Sequence, residues 1–401
     1  MPALKDSLRY VFVTNFCPHY RVQTFAALAR HVEVTFYFYS SGGEKYWLKE
    51  HGTRRGDFAC EYFPGIDIGH TRITPGLVLR LWNGDYDAVI KCINGKFALA
   101  VTYLVARLRR KPFVLWTGVW HTLQTPTHRL MFPLTRYLYR HSDAIVTYGD
   151  HVKRYLTGLG VSADKIFCAH HAVDNAAYAR PVSEKEISAL RSSLRLPADR
   201  RIVLYVGRLE KIKGLDILLT AFARSAISDA VLVLAGTGRE QPALEQQALQ
   251  LGILPRVRFT GYIPVERIVP YYASAYVAVL PSITTATGKE CWGLVVNEAM
   301  NQGVPVIATD AVGAAAGGLV QHGMNGLIVR ERDAGALAAA LRHILSDSDL
   351  RARMSRQAQA SVLAWDNERM VAGFLQALEY VRARAASAST QVAGRETPVA
   401  T

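Results

Sequence analysis

The chain has 401 residues, half of them hydrophobic, with 47 Lys/Arg against 33 Asp/Glu and a formal net charge of +14. That length exceeds one ordinary domain and points to two, and no apolar run approaches the ~20 residues that a membrane span needs. Its 5 cysteines are widely spread with no CxxC pair, which argues against a disulfide framework or zinc site and for reduced thiols in a cytosol.

The basic excess leans to the first half. Such a surface suits anionic lipid, a phosphorylated substrate or nucleic acid, or is simply well solvated. The start, MPALKDSLRYVFVTN, runs straight into a strand and offers no signal-peptide core.

In chain order, 9–15 reads as a strand, 20–31 as a helix, and 32–40 and 88–92 as strands. A helix follows at 96–109, a strand at 113–118, a helix at about 127–141, and strands at 144–149 and 166–173. Polar, proline-punctuated sequence after Asp174 leads to a helix near 183–194. The alternation then restarts, with strands at 201–207, 230–236, 257–261, 275–282, 304–309 and 326–329. Strand–helix alternation means parallel strands with crossover helices on both faces, so the expected class is α/β with two Rossmann-like doubly wound domains facing a cleft. From Asp349 to about Ala386 the pattern is helical only, and the small, polar tail is expected to be disordered.

The stretch GKECWGLVVNEAMNQGVPVIAT places Glu290 and Glu298 eight positions apart around a Trp-Gly-Leu turn and an apolar helix. Gly303 ends that helix, because glycine adopts the left-handed conformation cheaply. With a start near Gly293, free N–H groups follow Glu290 directly and form a ready phosphate site. Glu298 falls among apolar residues and needs hydrogen-bond donors, which a ribose diol, buried backbone or an arginine would each supply.

In RIVLYVGRLEKIKGLD, Arg208 and Lys213 follow a buried strand between Gly207 and Gly214. Cations on a strand-end loop can clamp a diphosphate without a metal; the bland reading is ordinary loop charge. Gly236-Thr-Gly238 lacks the third glycine and the acidic residue of a dinucleotide fingerprint, and reads as a tight turn near a nucleotide. His121, in the loop after strand 113–118, either hydrogen-bonds a substrate or is structurally bonded. His170 and His171 have no further ligands at metal spacing and read as structural or cleft-lining. Segment 128–143 mixes Arg129, Arg136 and Arg140 with Phe132, Tyr137, Leu138 and Tyr139. It is a membrane-surface helix or, as is commoner, one packed on its own sheet.

Taken together, strand-GRL-x(3)-KG, F-x-G-Y-I-P, V-L-P-S and E-x(7)-E followed by A-M-x(2)-G-x-P-V-I-A-T resemble family 4 (group 1) of the retaining GT-B-type glycosyltransferases. The similarity is close over about residues 200–330. GLGVSADKIFCAHHAVD and AWDNERMVAGFLQALEYV extend it to the first half and to a closing helix. The resemblance implies that Arg208 and Lys213 bind the donor diphosphate and stabilise the leaving group. It implies that Glu298 holds the ribose hydroxyls and that Glu290 reaches the transferred sugar. Cys291 and the amides of Trp292, Gly293 and Leu294 would line the donor, the nucleobase would lie by Gly261, Tyr262 and Ile263, and His121 would be the histidine near the sugar. Cys291 and Trp292 stand where relatives commonly carry Gly or Pro and Phe. NFCPHYRVQTF replaces the usual glycine pair of the first loop, and AAAGGLV lacks an acidic residue. These departures bear on sugar and acceptor identity more than on reaction class.

The resemblance thus implies an acceptor-binding domain over 1–180, a nucleotide-sugar-binding domain over 181–365, a helix over 366–386 crossing back to the first domain, and a disordered tail over 387–401. The expected activity is retaining transfer from a UDP- or GDP-sugar, with no cofactor or metal required, to a glycan or polyprenyl-diphosphate-linked acceptor in bacterial-type surface polysaccharide or glycoconjugate synthesis. By elimination the acceptor would meet Pro18, His19, Tyr20 and Arg21 at the end of the first strand. The enzyme would be cytoplasmic, with an anionic membrane surface as a further partner and no nucleic acid. A non-catalytic nucleotide-sugar- or membrane-binding subunit, or a same-fold phosphorylase or epimerase, is the alternative.

Overall fold

The computed structural model describes residues 8–40, 56–69, 71–197 and 199–393, which fall into two compact units. The first comprises described residues up to Gly118, then Leu130–His170 and the chain from Asn367; the second comprises Val119–Arg129 and His171–Asp366.

The first unit begins with β1 (Arg9–Thr14), a 3-10 turn at His19–Arg21, α1 (Val22–His31) and β2 (Glu33–Phe38). Next come β3 (Cys60–Tyr62), a hairpin of β4 (Ile66–Ile68) and β5 (Thr71–Ile73), and α2 (Pro75–Asn83). β6 (Ala88–Cys92), α3 (Lys96–Leu108), β7 (Phe113–Thr117), α4 (Pro126–His141, of which Leu130 onward belongs to this unit), β8 (Ala144–Thr147), α5 (Asp150–Gly158) and β9 (Ile166–Cys168) follow. Seven strands form one sheet in the order β3-β2-β1-β6-β7-β8-β9, with every pairing parallel. The all-buried runs of β6, β7 and β8 are what a sheet covered on both faces demands.

The second unit contains α6 (Asn175–Tyr178), α7 (Glu184–Ser193), β10 (Arg201–Val206), α8 (Leu215–Ser225), β11 (Ala230–Ala235), α9 (Gln241–Gln250) and β12 (Val257–Gly261). It continues through α10 (Val269–Ala273), β13 (Val277–Leu280), α11 (Val295–Asn301), β14 (Val306–Thr309), α12 (Gly313–Ala316), β15 (Gly326–Val329), α13 (Ala334–Ser346) and α14 (Ser348–Val362). Its six strands run β12-β11-β10-β13-β14-β15, again all parallel. Helix starts are chemically marked: Ser183 and Glu186 form a reciprocal capping box at α7, and Asp333 and Asp347 cap α13 and α14.

The last helix, α15 (Asn367–Ala393), packs on α1, β8 and β9. Phe374 joins Phe12, Phe25, Phe36 and Trp116 in an aromatic cluster whose rings lie 5.3–5.6 Å from Phe12. Gly373 permits this approach, since a Cβ there would stand 2.4 Å from the Cys168 carbonyl oxygen. The helix continues through Ala393, past the expected onset of the tail at 387; residues 394–401 lie outside the described residues. Two boundaries also differ from the sequence reading. The division falls at His170/His171 rather than 180/181, and Val119–Arg129, with His121, belongs to the second unit.

Candidate active site

A doubly wound sheet binds ligands beyond the carboxyl ends of its strands, where strand order reverses. In the second unit that point lies between β10 and β13. The loop after β10 carries Arg208 and Lys213; the loop after β13 carries Ser282 and Glu290.

Glycines bring these loops together. Gly214, at φ +62, lies so close to the β13 loop that a Cβ would stand 2.2 Å from the Pro281 carbonyl oxygen, and Ile283 N–H donates to Ile212 O at 2.8 Å. The Gly236–Gly238 turn supports the other side: a Cβ on Gly236 would meet Gly207 O at 1.9 Å, and Leu209 N–H donates to Thr237 O at 2.8 Å.

The outcome is a half-buried charge cluster. Lys213 donates to Glu290, and their side chains are only 14 % and 16 % exposed. Ser282 Oγ donates to the same carboxylate oxygen at 3.1 Å. Burial pushes the Glu290 carboxyl up, but the charge and hydrogen bond of Lys213, the Ser282 hydroxyl and the Arg208 charge outweigh it and hold it below its ordinary range. Arg208 is exposed and its guanidinium makes no hydrogen bond or salt bridge among the described residues.

Glu298 has a separate environment. It is 9 % exposed on α11, and Tyr272 Oη donates to its Oε2 at 2.5 Å. Burial pushes its carboxyl up, and the hydrogen bonds from Tyr272 and Tyr178 offset this only in part. The two glutamates therefore do not form a carboxylate pair.

The turn between them departs from the sequence reading. α11 starts at Val295, not near Gly293, and has 7 residues. Gly293 takes φ +93, where a Cβ would meet the Leu280 side chain at 2.5 Å. The amides of Gly293 and Leu294 make no hydrogen bond among the described residues, so they remain available donors. The Trp292 side chain is buried at 1 %, with Nε1–H donating to Asn297 Oδ1 at 2.8 Å and its ring 5.3 Å from that of Trp365. Gly313 and Ala314 donate their N–H groups to the carbonyls of Glu290 and Trp292 at 3.2 and 2.8 Å. Cys291 is half-buried and outside any disulfide, its Sγ 3.9 Å from Lys289 O.

His121 stands beside this loop. Neighbouring Trp120 donates Nε1–H to Glu290 O at 2.9 Å, Lys289 lies 3.7 Å from the Trp120 ring centre, and Gln124 N–H donates to Ala286 O at 2.8 Å. His121 Nε2 is buried without a partner in the described structure. Burial and the Lys289 charge lower its pKa against the opposing Glu331, favouring a neutral imidazole. Gly261, Tyr262 and Ile263 are half-buried at and beyond the end of β12.

The proposed acceptor loop is less available than its sequence implies. Pro18 is buried, and Arg21 is 4 % exposed. The Arg21 guanidinium lies 4.4 Å from the Trp116 ring centre and donates to Tyr148 Oη at 3.3 Å and Met370 Sδ at 3.5 Å. It therefore serves the core of its unit. His19 and Tyr20 remain half-buried, their rings 5.3 Å apart.

Sequence reasoning did not find Ser282, Tyr178, Tyr272, Trp120 or the Gly313 approach. Only Ser282 carried a local signal, as the last residue of V-L-P-S.

Two parallel, doubly wound α/β units define the GT-B glycosyltransferase architecture, and here the second carries a half-buried lysine–glutamate pair at its switch point. The family model of group 1 glycosyl transferases matches residues 186–361, and that of glycosyltransferase family 4 matches residues 22–177. The chain belongs to the group 1, family 4 glycosyltransferases. A D-inositol 3-phosphate glycosyltransferase of Geodermatophilus obscurus is 35% identical over 212 residues, 49% of this chain and 45% of that protein. The chain thus spans about half the length of the curated relatives it matches. HepE of Anabaena, solved in complex with UDP, superposes with a TM-score of 0.74 at 22% identity, covering 93% of this chain and 99% of that one. Sucrose-phosphate synthase of Thermosynechococcus elongatus superposes at 0.72 and 22% identity, covering 94% and 100%.

Proposed function

We propose that this chain transfers a glycosyl group from a nucleoside diphosphate sugar, UDP- or GDP-linked, to a glycan or lipid-linked glycan with retention of anomeric configuration. The observation that carries the reading is the half-buried Lys213–Glu290–Ser282 cluster at the switch point, with Arg208 beside it. HepE of Anabaena, similar in fold, was solved with UDP and with UDP-glucose, which supports the donor class.

In this reading a diphosphate entering the switch point draws Lys213 toward its oxygens while Arg208 adds its fork. Glu290 is then free to accept a hydroxyl of the sugar. Two cations and the Gly293 and Leu294 amides stabilise the leaving diphosphate, a task that a metal ion performs elsewhere. The acceptor hydroxyl attacks the anomeric carbon on the face the phosphate leaves. The C–O bond to phosphate breaks, and the departing phosphate oxygen takes the hydroxyl proton. His121 offers a neutral hydrogen-bonding group to the sugar, and Glu298 accepts from the ribose.

Mass spectrometry of donor consumption across UDP- and GDP-sugars with acceptor extracts tests the reaction, and NMR reads the anomer. An inverted product overturns retention. Loss of transfer in EDTA, restored by magnesium, overturns metal independence. Donor binding without turnover identifies a partner subunit instead, and consumption with free phosphate alone identifies a phosphorylase.

We further place the enzyme at the cytoplasmic face of a membrane, acting in surface polysaccharide or glycoconjugate synthesis. α4 supports this, because Leu130, Met131, Leu134 and Tyr137 are 80 %, 45 %, 47 % and 46 % exposed on it, among Arg129, Arg136 and Arg140. Apolar residues and arginines together on an exposed helix suit an anionic headgroup layer. Among the described residues no helix is long and apolar enough to cross a membrane.

A further inference from the structure

Three short helices converge on Glu298. α10 supplies Tyr272, 1 % exposed, and α6 supplies Tyr178, 6 % exposed; both pack on α11. The α6–α11 contact is pinned by Asn301 Nδ2, which donates to Asn175 Oδ1 at 2.9 Å, and by Gln302 Nε2, which donates to Tyr178 O at 2.5 Å and Arg180 O at 2.9 Å. Tyr272 Oη thus holds the Glu298 carboxylate directly, and the Tyr178 hydroxyl, brought to the same carboxylate by α6, also favours its ionised form. Among the described residues no cation forms an ion pair with it, and the charges acting on Tyr178 include the acidic Asp174 and Glu266.

A carboxylate has about four acceptor positions. The Tyr272 donor, with Tyr178 at the same carboxylate, leaves at least about two, enough for the two hydroxyls of a ribose diol. We propose that Tyr178 and Tyr272 are positioning residues for the donor nucleotide, orienting Glu298 so that its remaining acceptor positions meet the 2′- and 3′-hydroxyls. This rests on the reading of Glu298 as the ribose contact. The hydroxyls also favour the ionised form, which burial opposes. Removing either donor raises the Glu298 pKa further, so ribose recognition fails at a higher pH. A site built to accept from a hydroxyl also discriminates strongly against a ligand lacking it.

The test is calorimetric binding of UDP and 2′-deoxy-UDP, or of the guanosine pair if the chain selects guanine, from pH 5.5 to 8.5. The two ligands carry the same phosphates, so the ratio of their dissociation constants isolates the ribose contact. Wild type should prefer the ribonucleotide about tenfold or more, with the preference lost on acidification. Tyr272→Phe and Tyr178→Phe should each move that loss upward by about one pH unit and cut the preference several-fold near neutrality. Glu298→Gln should show a small preference independent of pH. If Glu298→Gln keeps the wild-type preference and pH profile, the ribose reading itself fails. If Glu298→Gln loses the preference while both Phe variants keep the wild-type profile, the positioning role is overturned. Should one Phe variant fail to fold, the other carries the same comparison.

Discussion

Lys213 and Glu290, 77 positions apart, form the most buried ion pair among the described residues, with side chains 14 % and 16 % exposed. Removing one partner strands the other charge away from water. Lys213→Ala should destabilise the protein by about 3–5 kcal/mol, whereas Lys213→Met with Glu290→Gln should be much closer to neutral. Urea unfolding of the singles and the double measures this. If the singles cost as little as the double, the pair is not coupled.

Arg208 and Lys213 should also separate from Glu298 in kinetics. Arg208→Ala and Lys213→Ala are expected to lower kcat about 10²–10³-fold, as for loss of one group meeting transition-state charge. Glu290→Ala should act mainly on turnover and Glu298→Ala mainly on donor KM. Equal, small effects of the two glutamate variants would refute their assigned roles.

Gly214 offers a test that leaves every charge in place. Gly214→Ala combines φ +62 with a Cβ 2.2 Å from Pro281 O, so the loop must shift and carry Lys213 with it. We expect about 1–3 kcal/mol of destabilisation and a fall in activity larger than that loss explains. Wild-type turnover in the folded variant would show that the loop contact does not set the lysine.

Lys91 is fully buried on β6, donating to Asn94 O at 2.7 Å and to Cys92 O. Burial lowers its pKa to about 7 from 10.5. The unfolded chain then binds this proton more tightly, so the penalty is full below pH ~7 and fades as pH rises toward 10.5. Wild type should gain stability relative to Lys91→Met between pH 7 and 9.5. Parallel stability curves from urea unfolding at pH 6.5, 8 and 9.5 would contradict the buried titration.

Leu130 and Leu134 are exposed enough to change without disturbing the core. Leu130→Asp with Leu134→Asp should abolish sedimentation with anionic vesicles, and Arg136→Glu with Arg140→Glu should weaken it. High salt should release the wild type, because surface charge is screened over ~8 Å at physiological ionic strength. Wild type that ignores such vesicles and glycosylates a small water-soluble acceptor efficiently would refute the membrane placement.

Much of the architecture was legible because it is local. Alternating strand and helix runs specify parallel units with crossover helices, and the stop at Gly303, observed at φ +66, is a backbone preference of one residue. Strand ends were less legible: 166–173 reads as a strand, yet β9 stops at Cys168, since β propensity says nothing about where a pairing partner ends.

What tertiary structure alone decided is which charges meet and which are already spent. In sequence Arg21 resembles a free loop cation, and only the fold places Trp116, Tyr148 and Met370 around it. Glu290 and Glu298 look like a pair eight residues apart, yet the turn at Gly293 turns one toward Lys213 and the other toward Tyr178 and Tyr272. Backbone preferences act within a short window of chain, so the sequence by itself determined the two doubly wound units and the loops that bear the cations. Side-chain neighbourhoods are set by crossovers joining segments tens of residues apart, and the site's protonation states arise only once those crossovers exclude water.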